Sequence, residues 1–262
     1  MRQRAWCLAV WPLLAACAAG CPQQMSPDQQ RLLSDAQSSY DSGDDAATVR
    51  AMDQFLAANP RGNGADQAYC LRGMARFRMR NIDGARVDLQ QALDRTDSPQ
   101  VKGRAIKVLG DLAFEEGNLP TAESMYRQAL GFMDENVKPA DEVRYRLGQI
   151  LQRTGRWADA DVQFGRLMFK FPNTDLARRA ERMIHCTAWT VQVAAMKSRD
   201  SAAAKVDGLK KMNLPAAIQN ILTDSGPLFA VQVGRYSTYE QALAALPTVK
   251  AVSEDAFITP TK

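Results

Sequence analysis

Two stretches forty residues apart share one pattern: Trp189-Thr190-Val191-Gln192-Val193-Ala194-Ala195-Met196 and Phe229-Ala230-Val231-Gln232-Val233-Gly234-Arg235-Tyr236. Each is an aromatic, then Val-Gln-Val, then a small residue, and each is followed by a polar cap and a helical run. Period-two alternation puts Val191 and Val193 on one strand face and Thr190, Gln192 and Ala194 on the other; Val231 and Val233 likewise oppose Ala230 and Gln232. After the first strand, Asp200 is placed to cap a helix with Ala202, Val206, Leu209 and Met212 on one side. After the second, Ser237-Thr238-Tyr239-Glu240 reads as a capping box, and Tyr239, Ala242, Leu243 and Leu246 follow at helical spacing. Ala216 to Leu222 reads as a strand that turns through Thr223-Asp224-Ser225-Gly226, and Asp255 to Thr259 as a last one. The expected order is β-α-β-β-α-β, a ferredoxin-like arrangement with both helices on the valine face and the antiparallel sheet open on the other.

The other end of the chain carries an address. Met1-Arg2-Gln3-Arg4 is basic and Ala5 to Ala16 apolar, so residues 1–16 read as an export signal too short to span a membrane as a stable helix. Leu14-Ala15-Ala16-Cys17 resembles the bacterial lipobox, with Ala18-Ala19-Gly20-Cys21 as a second candidate. The resemblance implies a lipid on Cys17, or alternatively Cys21, and so a membrane anchor of several acyl chains, each buried CH₂ contributing about 0.8 kcal/mol. Ala18 and Ala19, with no Asp, resemble the sorting positions of Gram-negative lipoproteins sent to the outer membrane. Residues 17–28 read as a tether.

Between the two ends, from about Asp28 to Arg182, there is almost no strand signal and small residues recur in register, and residues 29–186 are assigned to helical repeats. Gly73 and Ala85, Gly110 and Ala122, and Gly148 and Ala160 are each twelve apart, and seven further on stand Ala92, Ala129 and Leu167. Small residues at these points let antiparallel helices approach, while Phe77, Phe114, Tyr126, Trp157 and Phe164 fill the gaps. The pattern resembles the tetratricopeptide repeat. It is clearest in Leu109-Gly110, Gly117, Ala122, Tyr126 and Ala129-Leu130, and in Leu147-Gly148, Gly155, Trp157, Ala160, Phe164 and Pro172. Weaker copies run from Tyr40 to Pro60 and from Tyr69 to Ala92. Spacings of 37 and 38 residues between the later copies lengthen the connections beyond the family's norm, and Asp97 and Asp134 replace its closing proline. Asn173-Thr174-Asp175 then caps a further helix, Leu176 to Cys186. Stacked hairpins of this kind bury a continuous core and usually display a groove for a partner protein, or else serve as a spacer.

Residues 191–196, 231–236 and the closing Asp255-Ala256-Phe257-Ile258-Thr259-Pro260 resemble the SPOR domain, a peptidoglycan-binding module, over about Thr187 to Pro260. Residues 187–262 are assigned to it. That family binds glycan strands stripped of their stem peptides, which accumulate where the septal wall is split. The resemblance implies contacts by Gln192 and Gln232, an aromatic at Phe257, and flanking positions Thr190 and Leu228. Amides can donate to and accept from sugar hydroxyls and N-acetyl groups, and an exposed ring can lie against a pyranose face. Ala195 stands where the family often has Ser, and Ala230 where it often has a basic or larger residue, so this face is smoother than most.

Composition narrows the function classes. A formal charge of +4 includes Arg2 and Arg4 of the export signal, so a basic field for nucleic acid is not indicated. Cysteines at 7, 17, 21, 70 and 186 have neither metal-ligand nor disulfide spacing. With one histidine, His185, no Cys-His or Ser-His-Asp set can be assembled, so neither catalysis nor a cofactor is expected. The expectation is a non-enzymatic lipoprotein on the periplasmic face of the outer membrane, with peptidoglycan glycan and an unidentified protein as partners. The alternative is a scaffold of an envelope complex in which the sheet is vestigial.

Overall fold

The structure, a computed structural model, describes residues 24–223 and 226–262. The export signal, Cys17, Cys21, most of the tether and the turn residues Asp224 and Ser225 lie outside the described residues. The remainder is α+β: a helical-hairpin array followed by a small sheet module. The array comprises α1 (Pro27–Ser42), α2 (Asp45–Ala58), α3 (Ala65–Arg78), α4 (Ile82–Leu93), α5 (Pro99–Glu115), α6 (Leu119–Phe132), α7 (Ala140–Arg153), α8 (Trp157–Lys170) and α9 (Asp175–Met183). No helix among the described residues is long and apolar enough to cross a membrane.

α1 begins earlier than the tether assignment allows. Ser26 accepts from the Gln29 N–H at 3.2 Å while the Gln29 side chain accepts from the Ser26 N–H at 2.9 Å, and Pro27 fills the first turn, where no N–H partner is needed. Met25 already packs on the first hairpin.

The small-residue register does close the hairpins, through partners one turn beyond those that the spacing suggested. Ala85, Ala122 and Ala160 are buried, but each glycine lies against the residue sixteen positions on. A Cβ on Gly73 would sit 2.9 Å from Leu89 Cγ, on Gly110 3.0 Å from Tyr126 Cδ1, and on Gly148 2.5 Å from Phe164 Cε1. Phe77, Phe114, Tyr126 and Phe164 join the hairpin cores as expected, but Trp157 turns instead toward the sheet module. Thr174 caps α9 by accepting from the Ala177 N–H at 3.1 Å, and the helix ends at Met183, short of Cys186, where His185 takes a left-handed φ of 62°.

The module comprises β1 (Ala188–Met196), α10 (Arg199–Lys211), β2 (Ala216–Thr223), β3 (Gly226–Tyr236), α11 (Tyr239–Lys250) and β4 (Phe257–Thr261). The sheet is antiparallel in the order β2-β3-β1-β4, the expected ferredoxin-like topology. Both helices cover one face, where Val191, Val193, Val231 and Val233 meet Ala202, Val206, Leu209 and Val249.

Four local expectations shift. Ser198, not Asp200, caps α10, and Met212 lies past its end, 59% exposed. The capping box of α11 is Thr238 with Gln241, one residue later, and Leu243 is half-exposed while Ala242 and Val249 are buried. β3 starts three residues early at Gly226, and β4 two residues late, because a turn from Ser253 to Ala256 precedes it. Finally, a bulge between Gln192 and Ala194 adds one residue to β1, so Ala194 and Met196 pack on the core side and Ala195 takes the open side opposite Ala230.

The module is seated on the array. The buried indole of Trp189 donates to the Gln152 carbonyl at 2.9 Å, with Trp157 at 5.7 Å and Tyr239 edge-on at 5.1 Å between ring centroids. The Arg153 guanidinium lies 5.0 Å from the Tyr239 centroid, and Gly155 packs so closely that a Cβ there would be 2.9 Å from the Ser237 carbonyl oxygen.

Two glycine substitutions of opposite sign test the packing of the fourth hairpin. Gly148→Ala drives a methyl group into the Phe164 ring and should lower the unfolding free energy by about 1–3 kcal/mol. Gly165→Ala, on the neighbouring helix with open space around it, should raise it by up to about 1 kcal/mol through helix propensity. Urea denaturation of both variants reads the difference; a Gly148→Ala protein as stable as the parent would refute the contact.

Candidate functional site

The face of the sheet opposite α10 and α11 is organised by strand register. Ala217 pairs with Gln232, Gln232 with Gln192, and Gln192 with Phe257, so one row of side chains crosses all four strands. At about 4.8 Å per strand the row is roughly 14 Å long. Beside it runs a smoother row of Gln219, Ala230 and Ala195.

Within the first row the residues are held differently. Gln232 is almost buried, and its carbonyl oxygen accepts from the Thr261 hydroxyl at 3.0 Å. The Gln192 side chain is half-buried and makes no hydrogen bond among the described residues. Phe257 is 52% exposed, while Ala256 is buried and Ile258 packs on the module core. Leu228 is half-buried opposite Ile221. The row therefore offers one pinned amide, one unengaged amide and an open ring.

Thr190 keeps the expected face, opposite Thr259 on β4, but is not exposed there. It is fully buried, and its hydroxyl is 2.8 Å from the Gly234 carbonyl oxygen and 3.2 Å from that of Val233. The pairing of β1 with β3 slips between Trp189 and Val191, and Gly234 adopts a φ of 71° there. The Thr190 hydroxyl bridges the carbonyls of this irregular turn of β3, which accounts for its position inside rather than on the surface.

The face is also bounded by residues that the strand pattern could not reveal. A cavity of about 520 Å³ has Gln192, Gln219, Gln232 and Thr259 on the sheet side and Glu181 and Arg182 of α9 opposite. Lys262 and Cys186 are also among its lining residues. Gln219 was detectable, since it alternates with Ala216 and Ile218 on β2; the α9 residues were not, because they approach through tertiary packing alone. Arg235 donates to the Lys262 carbonyl at 2.9 Å and to the Thr187 hydroxyl at 2.8 Å, fixing this corner. Burial pushes the Cys186 thiol pKa up, against the opposing effect of Lys262, so the thiolate form is disfavoured. His185 lies outside this cavity, beside Asp161 at 3.4 Å. No cluster of His, Cys, Asp and Glu among the described residues could hold a metal ion.

A second concavity lies between α5, α7 and α9. It encloses about 490 Å³ and is lined by Phe114, Tyr145, Arg146 and Arg179, with Lys107 bridging Asp111 at 2.9 Å and Glu142 at 2.7 Å. Although burial opposes it, these two carboxylates hold the Lys107 pKa above its ordinary value, so the ammonium is a permanent part of the groove.

Comparison with known proteins matches residues 187–260 to the family model of the SPOR domain. Such a domain implies binding to peptidoglycan. Among solved structures, the array is similar to a tetratricopeptide repeat protein from Parabacteroides merdae, at 15% identity and a TM-score of 0.47 over 60% of this chain and 59% of that one. It is also similar to MamA, at 17% identity and a TM-score of 0.45 over 57% of this chain and 80% of that one. A thermophilic TPR protein of Thermus thermophilus gives 17% identity and a TM-score of 0.40 over 59% and 98%. The chain thus spans less than two thirds of the first of these relatives. No curated protein matches it.

The assignment of Thr190 predicts a stability effect. Thr190→Val removes a buried hydroxyl from two carbonyls and should cost about 1–3 kcal/mol, seen as a lower urea midpoint at unchanged slope. A wild-type midpoint would show that the hydroxyl does not hold the irregular turn.

Proposed function

We propose that this chain, whose residues 187–260 match the SPOR domain, is a non-enzymatic lipoprotein of the periplasmic face of the outer membrane. It binds peptide-stripped glycan at the division septum, and its helical array recruits a protein partner. The observation that carries the reading is the row Gln232–Gln192–Phe257 across the sheet face that α10 and α11 leave free. A pinned amide presents a fixed donor, a free amide adapts to hydroxyl or N-acetyl groups, and the exposed ring offers a face to a pyranose. This is a surface for holding a polar polymer. The groove between α5, α7 and α9, with its aromatic and guanidinium groups, is the place for a partner segment. The array stands between the lipid and the sheet, so the glycan-binding face is held out from the membrane.

Co-sedimentation with sacculi tests the glycan reading. The full chain should pellet with amidase-treated sacculi and far less with intact ones, and Gln192→Ala and Phe257→Ala should each weaken binding about tenfold. Neither substitution should shift the melting temperature much, since neither side chain is part of the core. Equal failure of the wild-type chain to pellet with both preparations would overturn the proposal. Mass spectrometry of the mature N-terminal peptide should find diacylglyceryl on Cys17; the same mass on Cys21 would move the anchor, and an unmodified peptide would remove it.

A further inference from the structure

We infer that the glycan site is completed by the helical array: Arg182 of α9, with Lys262 beside β4, forms a subsite for the free lactyl carboxylate of N-acetylmuramic acid. The inference rests on the glycan reading above and adds to it the means by which stripped and peptide-bearing strands are told apart. In a peptide-bearing strand the lactyl carbonyl is part of a neutral amide. Hydrolysis of that amide leaves a carboxylate on each stripped N-acetylmuramic acid. Glutamine amides can donate to neutral and to anionic acceptors, so a row built from Gln192 and Gln232 carries no charge of its own with which to separate the two. A cation at the edge of that row does so through a charge-assisted hydrogen bond.

The cavity of about 520 Å³ supplies that arrangement, because its lining includes Gln192 and Gln232 of the sheet together with Arg182 and Lys262. Neither cation has an acidic partner or a side-chain hydrogen bond among the described residues. Arg178, on the same helix, is by contrast engaged by Asp175. Among the described residues Glu181 is the one acidic side chain on the residues that line the cavity.

The subsite is preorganised. The Gln152 side chain donates to the Met183 carbonyl at 2.7 Å, and its backbone carbonyl receives the Trp189 indole at 2.9 Å. One residue thus fixes both the end of α9 and the start of β1, which are the two walls that the ligand must span. The His185 N–H bonds Asp161 at 3.0 Å and holds the connection between them. The walls are thus fixed before binding, and the ordering left to that moment is that of the Arg182 and Lys262 side chains.

The test uses the full chain and two soluble probes: amidase-stripped glycan, and the same glycan with its lactyl carboxylates converted to methylamides. Binding is read by fluorescence anisotropy at low and moderate salt. The wild-type chain should prefer the carboxylate form about tenfold, in line with one charge-assisted contact. Arg182→Ala should lower affinity for the carboxylate form to that for the methylamide, leaving the latter unchanged, and Arg182→Lys should restore part of the difference. Arg182 is exposed, so the variant should melt as wild type does; Arg182→Gln serves the same test if it does not. An undiminished preference in Arg182→Ala and Arg182→Gln overturns the inference while leaving the glycan reading intact. A wild-type chain that binds neither probe overturns both.

Discussion

The contact on which the arrangement of the whole molecule depends is the hydrogen bond from the Trp189 indole to the Gln152 carbonyl, 2.9 Å long and shielded from water. A buried indole N–H without an acceptor would cost about 1–3 kcal/mol, so the end of α7 favours Trp189 in its buried place at the start of β1. The rings around it, Trp157 from α8 and Tyr239 from α11, come from both halves of the chain. The Arg153 guanidinium, against Tyr239 on one side and Phe114 on the other, extends the same layer into the third hairpin. Two domains that are successive in the sequence are therefore joined by a mixed aromatic core of its own kind.

This joint explains why two similar strand motifs have unlike roles. Trp189 and Phe229 hold the same place in the repeated pattern, and nothing local separates them. Phe229 packs on the module core, whereas Trp189 turns to the array. The difference arises from the position of each strand in the sheet and from the elements packed beside it, and both are tertiary facts. The same limit applies to Trp157, which reads as a hairpin filler because the repeat pattern is local and its partner is not.

Features with a short period were legible. Gly73, Gly110 and Gly148 marked the close approaches of the hairpins, since a missing Cβ is a requirement that each helix pair imposes separately. Alternation likewise placed Gln192 and Gln232 opposite the valine core, and Phe257 outside it. It failed where the backbone departs from ideal pairing. One inserted residue after Gln192 reversed the faces of Ala194 and Ala195, and Thr190, on its expected face, is buried with its hydroxyl on the carbonyls at Gly234. Bulges carry weak sequence signals because the extra residue needs only local room. Arg182 and Glu181 were illegible for a third reason: a helix edge becomes part of a binding cavity only through the docking of another element.

The joint also bears on what the array can do for the sheet. α9 contributes Leu176 and Arg179 to the groove of the array and, one turn further, Glu181 and Arg182 to the cavity on the sheet. A helix shared in this way could couple two sites only if it had two positions of comparable energy. Its ends are tied, by the Thr174 cap at one and the Gln152 bond to Met183 at the other, and Ala177 and Ala180 between them are buried in the fourth hairpin. Moving α9 would break the bond at Met183 and open that core together. The arrangement is that of a rigid mount, in which the array fixes the distance and angle between Arg182 and the amide row of the sheet.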